Sequence, residues 1–352
     1  MRPRTHGHST LLRLIQQSGY RMLAIIVAVA FLPWAQMEAV SSRAAGRPGP
    51  TIRKRASAVQ ASQEITALLP GKPVEREIAG GQEHAYRIAL QAGQFVRFVV
   101  EQKGIDVAVA LAAPDGKQVS AVNLIRAGGV ESLSVVAEAG GDYHLAIRAA
   151  GASKTRGAYL LRVEMREPSA QDRQRIAAEA LAVKAGGLSQ QGQDAAPQAI
   201  EKWEQALAAW RELNDKPMIA MSLISIGGRY RVLARYDKAI EYGEQALSVA
   251  REAKDQNNEE QALNLLAYIY FALNRYEKVI EYGEQVLPTV RERKDRPVEA
   301  NILIGIGSSN YNLGRYQKAL EYLEPALAIA REIKDKTLEA SALLNLSLVY
   351  QG

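Results

Sequence analysis

Cysteine is absent from this 352-residue chain. That excludes disulfides, thiolate metal sites, cysteine nucleophiles and lipid attachment at a lipobox. Histidine is nearly absent, with only His6, His8, His84 and His144. No phosphate-loop lysine motif and no G-x-S-x-G occurs. Gly305-Ile306-Gly307-Ser308-Ser309-Asn310 begins like a dinucleotide fingerprint, but the third glycine is missing and the segment reads as helix interior. Excess charge of one sign is also lacking where it would matter. The chain carries +6, but residues 1–55 alone carry +8, which leaves −2 for residues 56–352. The basic footprint of a nucleic-acid binder is therefore missing from the folded part.

The basic N-terminus has the anatomy of an export signal. Arg2, Arg4, Arg13 and Arg21 precede the apolar run Met22–Ala35, and small residues follow at Ala39, Ser41, Ser42 and Ala44. The run is short for a membrane span, which needs about 20 residues, and suits a signal-peptide core. Residues 1–40 are expected to be a signal peptide, with an uncleaved anchor at 22–35 as the alternative. Residues 41–65, with Gly46, Pro48, Gly49 and Pro50, read as a flexible linker. The expected location is periplasmic or secreted, or else anchored to the membrane.

From about Leu69 to Glu167 the apolar period is two. Tyr86, Ile88 and Leu90 share a face, as do Val96, Phe98 and Val100, and Ile105, Val107, Val109 and Leu111. Tyr143, Leu145 and Ile147 repeat the pattern, as do Tyr159, Leu161, Val163 and Met165. Turn signals at Gly80-Gly81, Ala92-Gly93, Pro114-Asp115-Gly116 and Gly140-Gly141 separate the runs. Short strands at this spacing predict a β-sandwich or jelly roll of seven or eight strands over residues 66–167.

Residues 168–352 change period. RYDKAIEYGEQALSVARE from Arg235, RYEKVIEYGEQVLPTVRE from Arg275 and RYQKALEYLEPALAIARE from Arg315 recur at one constant interval. Copies at a fixed period of about 40 residues mean a stacked helical array. Gly227, Ala267, Gly307 and Ser347 hold a small position in each first helix. Ala239, Val279 and Ala319, then Ala246, Val286 and Ala326, hold two in each second helix. This ladder favours the tetratricopeptide unit over HEAT or armadillo repeats, although the period exceeds the roughly 34 residues of the plain motif. An earlier, degenerate copy matches at Ala199-Ile200-Glu201 and Gln205-Ala206-Leu207. The expected architecture is β-sandwich followed by an all-α tetratricopeptide solenoid, with helix pairs over 171–214, 217–254, 257–294 and 297–334. A fifth first helix, about Thr337 to Gln351, has no partner. Leu343, Leu346 and Leu348 would then face missing neighbours. The expectation is a fragment or truncated reading frame, against a natural end sealed by dimerisation.

The stretches G-G-x-x-H-x-Y, L-x-A-G-Q-F and D-V-x-V-x-L-x-x-P-D-G within Pro70–Glu167 carry a family resemblance. They resemble the sandwich that precedes tetratricopeptide arrays in certain bacterial proteins, which is similar to the pre-peptidase C-terminal type. In larger members the array is followed by a CHAT domain, a caspase-like cysteine peptidase. The resemblance implies architecture rather than activity, since this chain has no cysteine and no histidine after His144.

Counting from the small position places Met221, Ile224, Arg231, Asn264, Tyr268, Phe271, Asn301, Ser308, Tyr311 and Asn312 on the concave face of the array. Amides there can bond a peptide backbone and aromatics can cover its side chains. Ordinary helix packing is the competing reading. Glu241, Glu281 and Glu321, beside Lys238, Lys278 and Lys318, read as solvated faces with local ion pairs. His84 and His144 lie on separate strands without clustered carboxylates, and Asp106, Asp115 and Asp142 fit no calcium loop. No catalytic, cofactor or metal site is expected.

The residues thus point to a non-catalytic interaction scaffold of the bacterial envelope that holds a protein segment in its groove. Its partner would be a protein and not nucleic acid, the membrane would be touched only through the N-terminal segment, and self-association would run through the last helix. The resemblance supplies the alternative, a regulatory N-terminal part of a CHAT-type peptidase. A carbohydrate or cell-surface role for the sandwich is a third reading.

Overall fold

The computed structural model describes residues 65–125, 127–151 and 155–351. The signal-peptide segment and nearly all of the linker lie outside these residues.

Alternation of two builds two sheets. Strands β1 (Thr66–Ala67), β2 (Val74–Ala79), β3 (Glu83–Leu90), β4 (Phe95–Lys103) and β5 (Val107–Ala112) come first; β6 (Gln118–Val122), β7 (Val130–Val136), β8 (Gly141–Ala149) and β9 (Arg156–Arg166) follow. One sheet runs β1-β3-β8-β5-β6 and the other β2-β9-β4-β7. Register brings the inward sets together: Ile88 opposes Tyr143, and Phe98 lies between Leu133 and Val163. The core between the sheets includes Tyr86, Val109, Leu145, Val100 and Leu161, all buried. The described residues thus form nine strands, one more than the upper expectation. The extra one is β1, which is too short to display a period.

The β5–β6 hairpin shows how the turn is written. Asp115 Oδ1 accepts from the Lys117 N–H at 2.9 Å, and Gly116 holds φ of 82°. Such a positive φ is open to glycine at no steric cost.

Among the described residues the rest of the chain is helical: α1 (Ala170–Ser189), α2 (Ala196–Glu212), α3 (Lys216–Val232), α4 (Tyr236–Ala253) and α5 (Gln256–Ala272), then α6 (Tyr276–Glu292), α7 (Arg296–Asn312), α8 (Tyr316–Glu332) and α9 (Lys336–Gln351). From α2 to α8 the helices stop in the same way. Positions 214, 234, 254, 274, 294, 314 and 334, equally spaced along the chain, all take positive φ. Each is followed by a main-chain bond back over the turn, such as Arg235 N–H to Tyr230 C=O at 2.9 Å and Asp255 N–H to Ala250 C=O at 2.9 Å. This is the Schellman closure. Aspartates at 215, 255, 295 and 335 then cap the next helix, accepting from the N–H three positions on.

The chain divides into two compact units at Leu265/Leu266. Within residues 65–265, α1 joins the sandwich to the helices. Its N-terminus is a capping box of Ser169 and Asp172, and the Asp172 carboxylate also pairs with Arg166. Arg166 lies over the Phe95 ring, 4.8 Å from its centroid. Arg166 and the two serine bonds hold the Asp172 carboxyl well below the usual carboxylate range. Within residues 266–351, Leu346 and Val349 of α9 pack on Ala319 and Leu323, while Leu343 is 43% exposed.

The small position is set by contact. A Cβ at Gly307 would stand 2.6 Å from Leu323 Cγ, whereas one at Gly305, earlier in α7, meets nothing within 4 Å. Gly307→Ala is therefore expected to destabilise the protein by about 1–3 kcal/mol through overpacking. Gly305→Ala should stabilise it by about 1 kcal/mol through helix propensity. Thermal or denaturant unfolding of the two variants checks this; equal shifts would refute the close-approach account.

Candidate functional site

The residues expected on the concave face fall into both units. In residues 65–265, Met221 is buried, while Ile224, Arg231 and Asn264 are half-buried. In residues 266–351, Phe271, Asn301 and Ser308 are buried, Tyr268 and Tyr311 half-buried, and Asn312 exposed. Four of the ten therefore need correcting. Met221, Phe271, Asn301 and Ser308 are 2–5% exposed and act as packing residues. The Phe271 ring meets Tyr276 edge-on at 5.4 Å. The Ser308 carbonyl accepts from the Asn312 amide at 2.8 Å, so Asn312 folds back along its own helix. Counting along a helix identifies a direction but not the neighbours that cover it, and this is where the reading failed.

Of the carboxylate ladder, Glu281 is ion-paired and Glu241 accepts from the Gln245 amide at 3.3 Å. Lys278 bonds Glu281 at 2.8 Å, and the pair is half-exposed. Between repeats, tyrosines reach back instead: the Tyr242 hydroxyl donates to Glu204 at 3.2 Å and that of Tyr322 to Glu284 at 2.9 Å.

In the sandwich, Asp142 pairs with Arg87 and Asp115 with Lys117. Among the described residues no group of three His, Asp or Glu side chains gathers at metal-binding distance. His84 Nδ1 stands 2.7 Å from the Tyr159 hydroxyl, which is bonded in turn to Tyr86. Tyr86 and Tyr159 belong to different sheets, so this chain of hydroxyls ties the sandwich together. Burial, with Arg76 nearby, lowers the His84 pKa.

Two glutamates, Glu131 buried and Glu179 half-buried, carry no mark in their local sequence pattern. Glu179 of α1 accepts from the Ser134 N–H at 2.8 Å and from the Ser132 and Ser134 hydroxyls at 3.0 Å each. Glu131, on β7, accepts from the Leu124 and Ile125 N–H groups at 2.6 Å. Burial raises the pKa of both, and Glu131 is pushed up to about 8 despite its two amide donors. Their bonds close a strand edge and a loop, which is structural work.

The tetratricopeptide repeat family model matches residues 178–252, 230–292 and 298–352. The matched residues fall along α1–α9, which form a tetratricopeptide-like solenoid. No curated protein matches the chain. Among solved structures, BtubC (BKLC) from P. vanneervenii is 21% identical with a TM-score of 0.45, over 52% of this chain and 84% of that one. The apo form of RapI is 19% identical with a TM-score of 0.43, over 48% of each chain. The pre-peptidase C-terminal domain of collagenase from Bacillus anthracis is 14% identical with a TM-score of 0.26, over 30% of this chain and all of that one.

Glu131 gives a pH prediction. Its folded pKa lies above the value of 4.5 expected when unfolded. The folded state therefore holds the extra proton, and stability is full below that lower value and lost as pH rises toward and through about 8. The melting temperature should fall between pH 5 and pH 9. Glu131→Gln keeps an acceptor for both N–H groups and should flatten the slope, which one group limits to about 1.4 kcal/mol per pH unit. A slope unchanged in the variant would remove Glu131 as its source.

Proposed function

We propose that this protein is a non-catalytic interaction scaffold of the bacterial cell envelope, holding a segment of a partner protein against the first helices of its repeats. The observation that carries the reading is the solvent-facing remainder of the expected set. Ile224, Arg231 and Asn264 in one unit, and Tyr268, Tyr311 and Asn312 in the other, keep surface open while their neighbours are buried. Amide and aromatic groups of this kind bind extended backbone and cover side chains. An array ordered in advance also loses little conformational entropy on binding.

The expected test uses the full chain as bait beside a Tyr268→Ala, Tyr311→Ala variant. Tyr311 packs beside the Ala319–Leu323–Leu346 cluster, so the variant is compared only after its melting curve shows a folded array. A partner retained by the wild type and lost by the variant supports the face; a partner held equally by both removes it.

The envelope assignment rests on the basic and apolar pattern of residues 1–40. Among the described residues no helix is long and apolar enough to cross a membrane. Fusing residues 1–65 to a reporter active only outside the bacterial cytoplasm should give signal, and deleting 22–35 should abolish it. A silent full fusion would withdraw the envelope location.

A further inference from the structure

Within residues 65–265 a cleft of about 1010 Å³ opens between the sandwich and the helices. That is at the upper end of the size range of small-ligand and cofactor sites. Every residue of β6 and β7 lines one wall, and these are the edge strands of the two sheets on that side. The rest of the lining comes from α1, between Arg175 and Val183, and from helix turns around Trp210–Met218 and Lys254–Asn258.

The two walls differ in hydrogen bonding. On the sandwich side Glu131, Ser132 and Ser134 are all engaged. On the helix side two buried donors, Trp210 Nε1 and Asn257 Nδ2, have no acceptor. A buried donor left unpaired costs about 1–3 kcal/mol. Neither residue is demanded by the repeat. At the position of Trp210 the later copies carry Ala250, Val290 and Ala330; at the position of Asn257 the others carry Pro217, Pro297 and Thr337. Both departures from the pattern line this one cleft.

We propose that the cleft binds an extended, neutral or basic polypeptide segment whose main-chain carbonyls accept from Trp210 and Asn257. Main-chain carbonyls supply acceptors for the two orphan donors. Val119 of β6 and Val130 of β7 are 43% and 47% exposed and offer apolar contact along an extended chain. Carboxylates outnumber cations in the lining, with Glu138, Glu179, Asp215 and Asp255 among them, which disfavours an acidic occupant. The Arg175 guanidinium lies 5.5 Å from the Trp210 ring centroid and bonds Asp215 at 2.7 Å. The site is separate from the first-helix face and stands or falls without it.

The test is selection of a randomised library of acetylated, amidated decapeptides on the purified full chain, followed by fluorescence anisotropy of the selected peptides. Trp210→Phe removes the indole donor. Asn257→Pro installs the residue of the neighbouring copies near the start of α5, where proline is tolerated, so it keeps the test valid if the first variant folds poorly. Selected peptides should be neutral or basic, and each change should weaken binding about fivefold. The indole ¹⁵N–H resonance of Trp210 should move on binding while that of Trp203, already bonded to Ser189 at 3.1 Å, stays. The proposal is overturned if no peptide is selected, if the selected peptides are acidic, or if binding survives both changes. Binding abolished only by Tyr268→Ala, Tyr311→Ala would place the peptides on the first-helix face instead.

Discussion

The regularly spaced turn that ends each helix is the constraint on which the array depends. Each turn must reverse the chain in very few residues, so one of them adopts the left-handed conformation. Only position 314 uses glycine; Asn214, Ala234, Lys254, Asn274, Lys294 and Lys334 carry side chains there. A non-glycine residue in this region costs about 1–2 kcal/mol. The turns persist because the Schellman bond and, in alternate turns, the aspartate cap satisfy main-chain groups that a frayed end would leave open. A conformation imposed again and again at equal spacing makes the helix lengths equal, and equal lengths let the pairs stack.

Stacking then decides where side chains can be large. Gly227 faces Leu265 and the Ala239 carbonyl, and Gly307 faces Leu323 and the Ala319 carbonyl, at distances that exclude a Cβ. Small residues in one helix and alanine or valine in the next are two sides of one approach. A bulky residue at an equivalent place is therefore informative. Trp210 stands where the other copies have alanine or valine and is nevertheless fully buried. Arg175 of α1 lies 5.5 Å from its ring centroid.

This contrast explains how much was legible in the sequence. The repeats were readable because their packing writes the same residue types once in every copy, and the sandwich because buried faces alternate. The face of the first helices was read only in part. Counting from the small position puts Asn301 and Ser308 on that face, yet both are buried, as are Ser309 and Asn310, whose side chains bond carbonyls one helical turn back. A helix can hide small polar groups by turning them onto its own backbone, and no periodicity reports that. Glu131 and Glu179 were invisible for another reason. Their partners come from a loop and from another domain, so neither spacing nor composition announces them.

The position of Glu179 bears on why a sandwich precedes an array at all. β7 is an edge strand, and the Ser134 N–H points away from β4 toward Glu179. An open edge invites pairing with another chain, and the first helix of a solenoid lacks a preceding repeat to cover it. Each exposed surface answers the other. Val183 of α1 packs against the sandwich core, a Cβ at Gly186 would meet Leu124, and Glu179 closes the strand edge. The sandwich is thus the cap of the first repeat, held by the Glu179 bonds to β7 and by the Arg166–Asp172 pair at the junction. A cap fixed in this way also explains how a cleft can have one wall of strands and another of helices, since both belong to one compact unit.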